Sequence, residues 1–356
     1  MTYLKQAERI LLSVLALAER ESKFSGFCIG NTTKIDSGGL FFAPIRQTRQ
    51  VVAGSVIVYR IHDAAAIAEL VDGRVDYVLV DSEKKAGPDH EIYGLGDFGN
   101  IERAVRDVVR RSRILTYKGN DLTVDSIDCL LAQLIADPVC GIGGKKVAIV
   151  GAGNLGSKLA LKLVERGASV VLTRRSQDKL DDIVRGLNAI KPVRTIAEVV
   201  GTTDNEEAAR DADILIGSAG GTPVVTLSMV DAVSERALII DAGKGCLFPE
   251  AVLRANERGL TLLRVDIRSG FEGQVAMLLE MERQLQASTG RTTVGGVSIV
   301  SGGLLGRAGE FVVDNVHEPT VIYGVADGRG DFVRDLSADQ LQQFQSLRSL
   351  IRVEVG

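Results

Sequence analysis

Apolar and polar positions alternate along the chain in a way that divides it into short strands and amphipathic helices. Residues 3–20 set Leu4, Ile10, Leu11, Val14, Leu15 and Leu17 along one side, which predicts a helix. The stretch from Phe24 to Gly39 is punctuated by glycine and threonine and has no clear period. Val51 to Ile61, rich in valine and isoleucine, predicts a strand, and Asp63 stands where a helix over 64–71 wants its N-cap. Val75 to Val80 predicts a further strand. A strand–helix–strand unit of this kind favours parallel pairing. Gly87 to Gly99 reads as a loop, 101–113 as a charged helix and 114–117 as a short strand. Lys118, Gly119, Asn120 and Asp121 read as a break, after which a helix resumes from Val124 to Ala136 and ends at Pro138 and Gly141–Gly144.

From there the alternation is regular. Strands are predicted over 147–150, 168–173, 198–202, 213–216, 237–240 and 261–264. Helices are predicted over 178–187, 205–210, 227–233 and 249–258, with a long one over 272–286. Such alternation is the pattern of an open parallel sheet with helices on both faces. Gly295 to Gly306 is glycine-rich and undecided. Residues 320–324 and 332–333 suggest a hairpin around Asp327–Gly330, and Ser337 with Gln340 suggests a capping box for a last helix.

The apolar run Val147–Val150 leads directly into Gly151, Ala152, Gly153, Asn154, Leu155 and Gly156, then into a helical pattern. Strand, glycine turn and helix together form the fingerprint of a dinucleotide site. The first glycine allows the turn, the second lets a pyrophosphate approach the backbone, and the third lets helix and strand pack closely. The fold class that follows is α/β in two domains: a C-terminal doubly wound parallel Rossmann sheet preceded by a smaller α/β domain. Residues 1–125 are read as a substrate and assembly domain and 126–290 as the nucleotide domain. Residues 291–356 exceed what such an enzyme needs and are expected to return over the cleft or to form the arm of a homodimer.

The strand after the glycine helix ends in Thr173, Arg174, Arg175 and Ser176, with Lys179 just beyond. NAD enzymes usually carry an acidic residue there for the ribose hydroxyls. Arginine instead offers a fork of donors matched to phosphate oxygens, so the expected cofactor is NADP. Ser218, Ala219 and Gly220 end the fourth strand of this domain, and Gly243 follows the fifth; both loops are expected to wall the nicotinamide. Lys118, Asp121 and Asp125 are the catalytic candidates, since a lysine and a carboxylate at a domain junction can share a proton with a substrate hydroxyl or amine. The alternative is that they only cap the linking helix. Lys84 and Lys85 follow a strand end, and they fit either a ligand contact or an exposed polar loop.

The strand tip Arg174-Arg175-Ser176-Gln177-Asp178-Lys179 is similar to the Asn-Arg-Thr-x-x-Lys/Arg signature of the shikimate dehydrogenase family, and Asn120 to Leu131 sits about where that family has Asn-Thr-Asp-Gly. The resemblance covers roughly residues 114–285. It implies that Asp125 or Asp121 matches the catalytic aspartate, that Asn120 binds substrate, and that Gln274 does so from the returning helix. The family's N-terminal Ser-x-Ser motif has no counterpart, and its Pro-x-Lys segment is echoed only by Pro44-Ile45-Arg46. The same architecture occurs in methylene-tetrahydrofolate dehydrogenases and other amino-acid-dehydrogenase-like proteins. The function implied is NADP-dependent hydride transfer to or from a small polar metabolite. A cyclodeaminase that recycles a bound cofactor and a non-catalytic NADP sensor are the rivals.

Composition narrows this little further. A net charge of −4 and the absence of tryptophan argue against a nucleic-acid partner. Cys28, Cys129, Cys140 and Cys246 are scattered, as are His62, His90 and His317, so no metal site is expected. Cys129 and Cys140 read as small buried residues and the histidines as surface residues. The run 11–18 is apolar but too short to span a bilayer, and no signal-peptide pattern precedes it, so no membrane partner and a cytoplasmic location are expected.

Overall fold

The computed structural model describes residues 2–32, 40–85, 100–135 and 139–351. His90, Pro138 and the loop Gly87–Gly99 lie outside the described residues. The chain forms two compact units, Met1–Gln274 and Val275–Gly356.

The first unit opens with α1 (Thr2–Glu21), β1 (Phe24–Asn31), β2 (Leu40–Gln47), β3 (Val51–Val58), α2 (Ile61–Val71), β4 (Tyr77–Asp81), α3 (Ile101–Val108) and β5 (Arg113–Tyr117). The strands make one sheet in the order β2-β3-β1-β4-β5, parallel except for β2. Phe27 and Ile29 of β1, with Val56, Val58, Val78 and Val80, bury against Leu11, Ala64, Ile67, Ile101 and Val105 of the helices. The period of a strand then turns Gly26, Cys28 and Gly30 to the opposite face. That strand is hidden in the sequence by its serine, glycines and cysteine, which carry little β-propensity.

Local expectations needed correction here. Asp63 does not cap α2: the helix starts at Ile61 with Arg60 extended at the N-cap, and Asp63 lies buried in the first turn. The charged helix ends at Val108 rather than Arg113, so β5 begins earlier than expected. Residues 118–121 are not a break. Lys118 is the N-cap and Gly119 the first residue of α4 (Gly119–Leu134), with Asp121 favourably placed in its first turn.

Helix α4 leads into β6 (Lys146–Val150), α5 (Asn154–Glu165), β7 (Ser169–Thr173), α6 (Gln177–Ile190), β8 (Val199–Thr202), α7 (Asn205–Ala209), β9 (Ile214–Gly217), α8 (Leu227–Ala232), β10 (Leu238–Asp241), α9 (Pro249–Glu257) and β11 (Thr261–Arg264). All six strands are parallel, in the order β11-β10-β9-β6-β7-β8. This is the Rossmann order, reversing between β6 and β9, where such sheets place their ligands. Val124, Ile127 and Leu131 of α4 pack into the same core as β6 and α5. Residue 125, the expected end of the first domain, is therefore in the middle of a helix whose apolar side belongs to the nucleotide lobe.

Helix α10 (Arg268–Ala287) begins a turn earlier than its pattern predicts. The second unit adds β12 (Gly290–Val294), β13 (Val297–Ser301), β14 (Phe311–Val313), β15 (Ile322–Val325) and α11 (Ala338–Leu350). The undecided glycine stretch opens as a hairpin turn: Gly295 and Gly296 take φ of +56° and +84° between the paired ends of β12 and β13, and residues 302–306 leave β13 in a turn and loop. The four strands form their own sheet, and Ile299, Phe311, Val325 and Leu347 their own core. Ser337 and Gln340 make the expected capping box. Among the described residues, no helix is long and apolar enough to cross a membrane.

Candidate active site

The glycine loop lies at the switch point, between β6 and α5. Gly151 has φ +116°, a conformation open to glycine. A Cβ on Gly156 would stand 2.0 Å from the Gly151 carbonyl oxygen, so the third glycine is required by packing. A Cβ on Gly153 would meet nothing within 4 Å, which leaves the loop open on the side where a pyrophosphate would lie. No side chain caps the first turn of α5, so the N–H groups around Asn154, Leu155 and Gly156 keep their capacity for an anion. Ser218 does not point outward; its Oγ donates to the Gly151 carbonyl at 2.8 Å and braces the loop.

The tip of β7 divides its work. Thr173 is buried, and its carbonyl accepts from Ala152 N–H at 2.8 Å. Arg174 donates to the Ala152 carbonyl at 2.6 Å, so its guanidinium fastens the glycine loop. Arg175, Ser176 and Lys179 are exposed around the start of α6, which has no side-chain cap, and among the described residues their side chains have no partner. These three donors fit a phosphate. On the other side of the switch point, Ala219 and Gly220 follow β9. Gly243 packs the loop after β10 against them: a Cβ there would stand 3.1 Å from Gly220 N and 2.3 Å from Cys246 Sγ.

The first lobe brings a polar cluster to this loop. Asp81, at the end of β4, is almost fully buried and accepts from the N–H of Glu83 at 3.0 Å and of Gly119 at 3.3 Å. Burial raises its carboxyl above the usual range, against the pull of Lys85. Lys85 Nζ is 3.7 Å from Asp81, contacts Glu83, and donates to Asn120 Oδ1 at 3.3 Å. Asn120 Nδ2 donates in turn to Asn154 Oδ1 at 2.9 Å. Asn154 opens the glycine helix, so this bond ties the cluster to the expected cofactor site. Asn31, at the end of β1, donates to the Glu83 carbonyl, while its own Oδ1 is buried without a partner.

The expected catalytic residues are not all brought together. Asp121 joins the cluster through Lys158, which also lies 3.7 Å from Glu83. Asp125 lies one turn further along and pairs with Lys162 at 2.7 Å; Asp128 follows, in a two-bond pair with Arg166 at 2.6 and 2.8 Å. Lys118 is exposed, while Lys85 stands inside the cluster. Gln274 is half-buried on α10, and its side chain makes no hydrogen bond among the described residues. Sequence reasoning left Lys85 undecided and did not find Glu83 or Asn31, because strand ends far apart in sequence assemble them.

Residues 146–245 match the family described as NADP oxidoreductase coenzyme F420-dependent. The chain is 26% identical over 139 residues to glycerol-3-phosphate dehydrogenase [NAD(P)+] of Bacillus subtilis (strain 168), covering 38% of this chain and 39% of that protein. It is 28% identical over 187 residues to glutamyl-tRNA reductase of Caldivirga maquilingensis, covering 51% of this chain and 41% of that one. Among solved structures it is similar to L-tryptophan dehydrogenase from Nostoc punctiforme, at 14% identity and a TM-score of 0.39, over 72% of this chain and 74% of that one. The chain thus spans about two fifths of the length of the curated relatives it matches. The second lobe thus has the Rossmann strand order with a dinucleotide-type glycine loop, and over residues 146–245 it is similar to an NADP oxidoreductase family.

Proposed function

We propose that the protein is an NADP(H)-dependent dehydrogenase or reductase acting on a small polar metabolite, with an arrangement like that of the shikimate dehydrogenases. The observation that carries this reading is the Asn120–Asn154 bond, which puts a lysine–carboxylate cluster beside the first turn of the glycine helix. A reacting carbon and a nicotinamide then share one cleft. The exposed, unpartnered Arg175, Ser176 and Lys179 support NADP over NAD, since they can take a 2′-phosphate without breaking an existing pair.

The nicotinamide, when bound, supplies or takes the hydride. The rest falls to the chain. Lys85 holds a proton at Nζ for the substrate oxygen or nitrogen, Asn120 orients it, and Asp81 and Glu83 hold the ammonium in place. Asp121 belongs to this site through Lys158. In this reading Lys118 and Asp125 serve the start of α4 and its packing. The test is NADPH oxidation against a panel of hydroxy acids, oxo acids and imines. Turnover that disappears in Lys85→Met, with NADPH binding retained, is the expected result. No NADPH binding at all would defeat the reading.

A further inference from the structure

The nucleotide lobe has a second surface of interest at the end of its sheet where the strands begin, opposite the glycine loop. The loop between α6 and β8 presents Val193 and Ile196 there, both essentially fully exposed. A single exposed aliphatic is ordinary, but a group of them on an ordered surface marks a contact. This loop is tied down. Lys191 Nζ donates to the carbonyls of Thr195 at 2.7 Å and Ala197 at 2.6 Å, and the N–H of Thr195 donates to the Pro192 carbonyl at 2.9 Å. Its polar backbone groups are satisfied within the loop while its aliphatic side chains stand in water.

The sheet beside the loop is open as well. Ala148, Val171 and Val200 form one row across β6, β7 and β8, on the side where α7 packs. Helix α7 has only five residues, and the row emerges toward the edge: Ala148 is buried, Val171 half-buried and Val200 49% exposed. A cleft of about 670 Å³ lies here, with Val171, Val200, Ile196 and Glu198 in its lining. The strand edge itself is closed to a further strand, because Asn188 bonds to both the N–H of Val199 at 3.0 Å and its carbonyl at 2.7 Å. A partner has to use the face and the loop.

The charges say which partner. Arg194 stands between Val193 and Thr195, and Glu198 lines the cleft four residues on. Both are exposed, and among the described residues neither side chain has a partner. A surface of one sign would satisfy one of them and oppose the other. A second copy of the same surface satisfies both, since a twofold axis sets Arg194 of each chain against Glu198 of the other. The same operation sets each projecting Ile196 over the other chain's Val171 and Val200.

We propose that this end of the nucleotide lobe is the interface of a symmetric homodimer, packed through Ile196 and Val200 and held in register by reciprocal Arg194–Glu198 pairs. The contact lies away from the expected cofactor loop and does not rest on the dehydrogenase reading. It also places the dimer on the nucleotide lobe rather than on an arm formed by residues 291–356.

The test is sedimentation velocity of the full chain over a range of concentrations, where a reversible dimer is expected. Ile196→Asp and Val200→Asp should each raise the dimer dissociation constant by about tenfold or more, as loss of a central apolar contact does. Ile196 is so exposed that its replacement should leave the far-UV circular dichroism of the monomer unchanged. Arg194→Glu and Glu198→Arg should each weaken the dimer, and the double variant should restore it, because the exchanged charges again meet opposite partners. A chain that stays monomeric at about 100 µM would overturn the proposal, since an interface weaker than that is not a specific dimer. So would a dimer unmoved by both aspartate variants, a monomer that binds a different protein through this patch, or a double variant no stronger than the single ones.

Discussion

Two groups of cations stand on the first two helices of the nucleotide lobe, and they differ in whether they have partners. Lys158 and Lys162 of α5 and Arg166 at its C-cap each meet an aspartate of α4. Arg175 and Lys179, at the start of α6, meet none among the described residues. Residue type and exposure do not separate the two groups; pairing does. A cation that has an aspartate holds the fold, and one left without a partner beside a glycine loop is available to a ligand. The two kinds should then fail differently when removed, one in stability and the other in binding.

Lys85 is the hardest case, because it is paired and yet stands in the cleft. Lys85→Met should lower kcat by about 10²–10⁴-fold, the usual contribution of a positioned proton donor. Stopped-flow reduction at saturating NADPH reads this directly, and a variant that loses only stability would place Lys85 with the structural group. Arg175→Ala should raise the Kd for NADPH by roughly tenfold to a hundredfold and leave NADH unmoved. Equal losses for both nucleotides would mean that the β7 tip does not read the 2′-phosphate. In the paired group the effects are smaller. Arg166→Met strips the well-buried Asp128 of its two-bond partner and should cost about 1 kcal/mol in urea unfolding, and Lys162→Met, in a more exposed pair, should cost no more than about 0.5 kcal/mol. NADPH affinity should be unchanged in both.

The pH response sharpens the comparison further. Lys244 is lowered by burial, then by Arg46 and Arg264, against the opposite influence of Asp266 and Asp241. Between its native and unfolded pKa values the unfolded chain binds more protons, so stability rises with pH across that window. Lys244→Met should flatten this slope.

What was legible in the sequence was local. The turn from β6 through Gly156 needs its glycines within a few residues of each other, and the β7 tip is one short run. The strand–helix alternation after residue 145 comes from strands buried on both faces, which read as plain apolar runs. The first lobe was harder. β1 carries Gly26, Cys28 and Gly30 because its far face is crowded: a Cβ on Gly30 would come within 2.6 Å of Ile57. Such a strand has no apolar alternation to display. The Lys85 cluster was not legible as a site because Asn31, Asp81, Glu83 and Asn120 become neighbours only when β1, β4 and β5 lie side by side. Asp125 illustrates the converse. Its position beside the right motif says nothing about the lysine of α5 that engages it.

The ladder between α4 and α5 has a consequence for motion. Its rungs step along both helices in the same direction, Asp121, Asp125 and Asp128 against Lys158, Lys162 and Arg166, so the two helices run parallel and start level. At the start of α4, the N–H groups of Gly119 and Asn120 bond to Asp81 and Glu83; at the start of α5 lies the glycine loop. Sliding one helix past the other would break every rung at once. The lysine–carboxylate cluster and the glycine loop are thus both tied to one ion-paired pair of helices, which resists any change in the spacing between them.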